Sequence, residues 1–200
     1  SKYSEMATQF EWEVTVIKDD KTMNAFALPG GKIAVYTGIF PVAKTEAGLA
    51  AVMGHEVVHA LARHGGERMS QNTLAQTTLQ AIGIALGVSG ANPVVSQGAM
   101  AALGVGAQVG VLLPFSRKHE SEADYVGVLL AADAGYDPRE SIQLWTRMGE
   151  LSGGKSASEF MSTHPSHETR IEQLEEWMSE AMPIYQSKPP APNHELPALR

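Results

Sequence analysis

His55-Glu56-Val57-Val58-His59, inside the stretch from Thr45 to Gly65, decides how the rest of the chain is read. Two histidines at i and i+4 leave a helix on the same face, about 6 Å apart along its axis. Their imidazoles can converge on one metal ion through bonds of roughly 2.0–2.1 Å. Glu56 between them cannot bind in the same way, but it can reach a water on that ion. With seven histidines in 200 residues, chance would give this pattern in roughly 2% of such chains if residue frequencies are independent. The flanks support a helix. Thr45 is placed to cap its start, and Leu49, Val52, Met53, Val57 and Leu61 supply an apolar face. Gly65 is read as its end, after Arg63 and His64.

Composition narrows the chemistry. The chain is 44% hydrophobic and has a net charge of −7, which suits one globular domain and argues against nucleic acid as a partner. Zero cysteines exclude a disulfide framework and any cysteine-based metal site, so a metal must sit on histidines and carboxylates. No initiator Met or signal sequence is visible.

Upstream of the histidine helix, Trp12, Val14 and Val16 alternate with acidic and Thr residues, the pattern of a strand with one buried face. Asn24 to Leu28 and Lys32 to Thr37 read as two more strands around the Pro29-Gly30-Gly31 turn. From Met69 to Ser116 there is no Asp, Glu, Lys or Arg. This stretch reads as two helices, about 68–88 and 94–112, forming a soluble buried hairpin, because its glutamines and small residues break the apolar run a membrane span needs; the alternatives are a membrane hairpin and a mobile cover over the site. Gly83/Gly87 and Gly106/Gly110 are spaced for close helix contact. Further helices are expected over 117–134, from Asp137-Pro138 to about Leu151, and over 166–182. The fold class is therefore α+β, a mostly helical domain with a small, mostly antiparallel three-stranded sheet beside the histidine helix. Residues 1–182 form one catalytic domain, and 183–200 a proline-rich arm.

Two histidines do not complete a catalytic site, which needs a third protein ligand and room for water. The helix over 117–134 offers His119, Glu120, Glu122 and Asp124. Glu120 and Asp124 are four apart and share a face, so one can bind metal while the other orients a ligand histidine. His64, His119, His167 and His194 read as surface or capping residues.

His55-Glu56-x-x-His59, Ser116-Arg117-x-x-Glu120-x-x-x-Asp124, His164-Pro165 followed by Arg170, and Asn24-Ala25-Phe26-Ala27-x-Pro29-Gly30-Gly31 together resemble the HtpX/BepA/CAAX-protease family of zinc metallopeptidases, over about residues 10 to 180. The resemblance implies one Zn2+ per chain on His55, His59 and Glu120, Glu56 as catalytic base, and Asp124 bracing a ligand histidine. It also implies His164 and Arg170 at the active site, near the oxyanion or as an extra metal contact, and a substrate-binding edge strand at Asn24, Ala25, Phe26 and Ala27. Geometry agrees on the glutamate. Residues four apart on a helix differ by about 40° and residues two apart by about 200°, so Glu120, not Glu122, shares a face with Asp124.

The reading that follows is a zinc metalloendopeptidase (a gluzincin) acting on misfolded or misassembled polypeptides. The alternative is a zinc-stabilised, chaperone-like binding module with little turnover. The resemblance to compact exported bacterial members implies a periplasmic or outer-membrane-associated location, with a peripheral membrane or lipid-anchor association upstream of this fragment.

Overall fold

A short helix, α1 (Lys2–Ala7), leads into three strands, β1 (Glu13–Ile17), β2 (Ala25–Leu28) and β3 (Lys32–Tyr36). The structure, a computed structural model, describes residues 2–88, 90, 92–108, 112–152, 164 and 169–198. β2 and β3 form a hairpin whose reversal uses Gly30 and Gly31 at φ +91° and +96°, a region where a Cβ is strained. β2 runs antiparallel to β3, with Phe26 opposite Ala34. β1 runs parallel to β3, with Val14 opposite Ile33, so the sheet order is β1-β3-β2 and both β1 and β2 are edges.

The fold class read from the sequence holds: a mostly helical α+β chain with a three-stranded sheet beside the histidine helix. The expected burial of β1 does not. Val14 and Val16 are 48% and 56% exposed, because the core gathers on the β2–β3 side, with Ala25, Ile33 and Val35 in it and no residue of β1.

After a 3-10 turn (Thr37–Ile39) and α2 (Phe40–Ala43) comes the helix α3 (Glu46–Leu61). Thr45 caps it, its hydroxyl accepting from the Gly48 amide at 3.2 Å. Val52 is fully buried in the core formed with Ile39, Val42, Leu144, Trp145, Met148 and Leu174, and Leu49, Met53 and Val57 pack against it. The helix stops sooner than expected. The break falls at Ala62 and Arg63, with Arg63 itself at φ +58°, while Gly65 lies inside the next helix.

α4 (His64–Val88) and α5 (Pro93–Ala107) pack together as the expected hairpin. The expected burial is absent: apart from His64, no described residue of either helix is buried. Of the four spaced glycines, a Cβ on Gly83 would lie 3.6 Å from the Met100 side chain, one on Gly87 or Gly106 would meet nothing within 4 Å outside its own helix turn, and Gly110 lies outside the described residues. Among the described residues, no helix is long and apolar enough to cross a membrane.

α6 (Leu113–Asp133) ends on Gly135 at φ +85°. α7 (Arg139–Ser152) begins where the Asp137 carboxylate accepts from the Arg139 amide at 3.0 Å. The last helix, α8, spans Arg170–Gln186, so it carries Pro183 inside it and ends four residues past the expected end at 182; its expected start at Ser166 lies outside the described residues. The tail then crosses the start of α3. The Asn193 side chain accepts from the Ala47 amide at 2.9 Å and the Leu196 amide donates to the Lys44 carbonyl at 2.8 Å.

The chain divides into two units, Ser1–Ala62 with Glu120–Arg200, and Arg63–His119. Within the second, His64 and His119 are buried rather than superficial. Their rings stack 4.1 Å apart, and His119 Nε2 lies 3.0 Å from Glu67. His194 is exposed and pairs with Glu46 at 2.9 Å; His167 lies outside the described residues.

Candidate metal centre

α3 and α6 approach each other backbone to backbone, and glycine is what lets them. A Cβ on Gly54 would lie 2.7 Å from the Gly127 carbonyl oxygen, and one on Gly127 would lie 2.9 Å from the His55 nitrogen. The residue after Gly54 is His55, so this crossing sets how far the α3 histidines stand from the α6 carboxylates. Gly127→Ala should destabilise the fold by about 1–3 kcal/mol and weaken metal binding although no ligand is touched. Thermal melts with metal titration check this; an unchanged melting point and metal affinity would refute the spacing role.

Four side chains meet there. His55 Nε2 and His59 Nε2 are 3.0 Å apart, and they lie 3.3 and 3.4 Å from the two Glu120 oxygens. His164 Nδ1 stands 3.2 Å from both His55 Nε2 and Glu120 Oε2. A tetrahedral ion with roughly 2.0–2.1 Å bonds separates its donors by about 3.3 Å. Two imidazoles, a carboxylate and a third imidazole at these separations therefore fit zinc, in donor type as well as spacing. His55, His59, Glu120 and His164 form a group able to hold a metal ion, all but His59 buried.

The shell behind them holds each ligand in one orientation. Asp124 Oδ1 accepts from His55 Nδ1 at 2.9 Å, which leaves Nε2 with its lone pair toward the centre. Arg170 then ties the two carboxylates together: its Nε donates to Asp124 at 2.6 Å and its Nη2 to Glu120 at 3.0 Å. The Arg170 guanidinium lies 3.6 Å over the Trp145 ring, and the same ring meets His55 edge-on at 5.7 Å. Trp145 thus backs both the cation and the ligand.

Glu56 is buried, and its Oε1 has no hydrogen-bond partner among the described residues. His164 Nε2 approaches that oxygen to 3.3 Å, within ion-pair range. Burial pushes the Glu56 carboxyl up, against the opposing pull of His164, His55 and a backbone hydrogen bond from Ala27. The Ala27 contact ties the β2 edge to the α3 carboxylate. At the same edge, the Ala25 amide donates to the Asn24 side chain at 2.9 Å.

Without metal, protons redistribute among the same donors. Burial pulls the His55 imidazole down, but hydrogen bonds to Asp124 and Glu120 outweigh it and lift His55 to about 10. Burial takes His59 down to about 3. Burial pushes Glu120 and Asp124 up, yet both end well below the usual carboxylate range, Glu120 through the three histidines and Asp124 through Arg170 and His55. A proton on His55 and a metal ion are alternative ways to satisfy the same lone pairs.

Of the residues singled out in the sequence, His55, Glu56, His59, Glu120, Asp124, His164 and Arg170 all gather here. Glu122 is half-buried and is not in the donor group. Trp145, Gly54 and Gly127 were missed. Their importance lies in tertiary contacts, and no local spacing marks them.

Comparison with known proteins follows the same lines. The description of peptidase family M48 matches residues 2–178. The mitochondrial metalloendopeptidase OMA1 of Schizosaccharomyces pombe is 42% identical over 176 residues, 87% of this chain and 49% of the relative. That of Saccharomyces cerevisiae is 34% identical over 182 residues, 88% of this chain and 50% of the relative. A β-barrel assembly-enhancing protease of Yersinia pestis is 28% identical over 151 residues, 74% of this chain and 31% of the relative. The chain spans about half the length of the two yeast proteins. These relatives overturn the expected exported bacterial, periplasmic location, since the mitochondrial proteins are more similar to this chain than the bacterial one is. The broad resemblance to HtpX, BepA and CAAX proteases narrows accordingly, and a match over nearly the whole chain, with the donor group inside it, shows that the chain belongs to peptidase family M48.

Proposed function

We propose that this chain is the catalytic part of an OMA1-like zinc metalloendopeptidase that cleaves misfolded or misassembled polypeptides, with residues 1–182 as its catalytic domain. The observation that carries this reading is the convergence of His55, His59 and Glu120 at tetrahedral spacing with a buried, unbonded Glu56 oxygen close by. His55, His59 and Glu120 hold the metal. Bound zinc supplies a Lewis acid that acidifies a water and polarises a carbonyl. Glu56 takes the proton of the attacking water on its carboxylate and returns it to the departing amine, a role its burial favours by raising its basicity.

Asp124 fixes the His55 tautomer and Arg170 holds Asp124 and Glu120 in place, so Arg170 acts as a positioning residue. The β2 edge at Asn24, Ala25, Phe26 and Ala27 lies against α3 and bonds to Glu56 through Ala27, which suits it to take a substrate as an added strand.

One observation favours the second reading, a zinc-stabilised binding module. His164 brings the protein donors to four, as in closed structural sites. Glu56 weighs against it, because a structural site has no use for a base beside its ligands. Under the peptidase reading, His55, His59 and Glu120 would hold the ion and the remaining position would be left to water, with His164 beside it. Incubation with unfolded casein separates the two: zinc-loaded chain cleaves it, chelated chain does not, and added zinc restores cleavage. Zinc-loaded chain that binds casein without cutting it supports the module instead.

A further inference from the structure

We propose that Trp145 is a positioning residue for the metal: its indole face holds the Arg170 guanidinium flat against Asp124 and Glu120, and zinc affinity depends on that face more than on the volume the ring fills. This rests on the metal-binding reading of the site but not on turnover.

Arg170 is 1% exposed and among the largest of the buried side chains. Its Nε donates to Asp124 and its Nη2 to Glu120, but Nη1 is buried with no hydrogen-bond partner among the described residues. A buried donor left unanswered favours any rotation that finds it an acceptor or a water. The ring opposes that rotation. The central guanidinium carbon lies 3.6 Å over the centroid of Trp145, at stacking distance, where the electron-rich face meets the plane of the cation. The indole face takes the place of the missing acceptor.

The same ring touches a metal ligand. Trp145 and His55 meet edge-on, with centroids 5.7 Å apart and planes at 67°, while Asp124 holds His55 Nδ1 at 2.9 Å. Contacts therefore run from His55 to Asp124, to Arg170, to Trp145 and back to His55. Each member fixes the next, so a slack Arg170 loosens the imidazole whose Nε2 faces the metal position.

Core packing alone does not call for an aromatic here. Leu144 and Met148 of α7 are each 1% exposed in the same core, and an aliphatic side chain at 145 would also keep water out. It would offer nothing to a buried cation. Arg170 also repels a dication at the metal position, so replacing the arginine mixes two effects of opposite sign. Changing the ring leaves the charge in the chain and isolates the positioning.

The test compares Trp145→Phe, which keeps an aromatic face, with Trp145→Leu, which does not, in the full chain. Both open space in the core and should melt below the wild type. Competition for zinc against a chromophoric chelator should find Trp145→Phe within about threefold of the wild type and Trp145→Leu weaker by about 10–100-fold. Trp145→Met, which adapts to an irregular gap, should behave as Trp145→Leu does. In the metal-free, isotopically labelled chain, the Arg170 Nε–H resonance is assigned by its loss in Arg170→Lys. It should exchange slowly with solvent in the wild type and Trp145→Phe, and rapidly in Trp145→Leu. Zinc affinities that follow the fall in melting temperature and not the aromatic face would overturn the proposal. So would an Arg170 Nε–H as protected in Trp145→Leu as in the wild type. A wild-type chain that takes up no zinc defeats the metal-centre reading and this proposal with it; zinc affinity equal in the Phe and Leu variants defeats this proposal alone.

Discussion

Glu56→Gln is expected to keep its zinc and its fold while losing about 10²- to 10⁴-fold in turnover. Glutamine matches the carboxylate in size and occupies the same buried position on α3, next to but outside the donor group. It cannot accept a proton. The substitution also removes a buried acid whose carboxyl burial pushes up, so the variant should be at least as stable as the wild type. Cleavage of an unfolded polypeptide, measured beside zinc content, reads both halves of the expectation. Near-normal cleavage with zinc retained would remove Glu56 from the mechanism; loss of zinc along with activity would mean that it supports the metal site instead.

The second large effect separates two glutamates on one helix. Glu120→Gln should lower zinc affinity by more than the 10–100-fold typical of an outer-shell partner, because Glu120 stands within 3.4 Å of three imidazole nitrogens and its charge is what a dication needs. Glu122→Gln should leave zinc content nearly unchanged, since Glu122 is outside the donor group. Glu120→Gln also leaves Arg170 facing an amide in place of one of its two carboxylates, so a modest drop in stability should accompany the loss of metal. Competition against a chromophoric chelator measures the affinities. Equal zinc loss in both variants, or loss in Glu122→Gln alone, would reverse the assignment.

Local pattern explains what the sequence made legible. The i, i+4 spacing of His55 and His59 and of Glu120 and Asp124 encodes helix faces, and the structure keeps both faces. Thr45 and Asp137 were readable as caps because capping is a contact over two or three residues. What depended on partners was not legible. Alternation at Val14 and Val16 is the same in a buried strand and in an edge strand, and only the sheet order makes β1 an edge. Absence of charge from Met69 to Ser116 does not by itself place the hairpin in a core, and apart from His64 no described residue of α4 or α5 is buried. The glycine spacing at Gly83 and Gly87 suggested close packing, yet the tight crossing is between Gly54 and Gly127, far apart in the chain. Nothing in these residues encodes the location.

The zinc centre itself is tested most directly by zinc K-edge X-ray absorption on the purified, zinc-loaded chain with metal content measured in parallel. One zinc per chain, with a first shell of nitrogen and oxygen at roughly 2.0–2.1 Å and the scattering of two or three imidazoles, is the expected result; three would place His164 on the metal. Less than one zinc per chain after loading, or a shell of oxygen without imidazole, would contradict the site built on His55, His59 and Glu120.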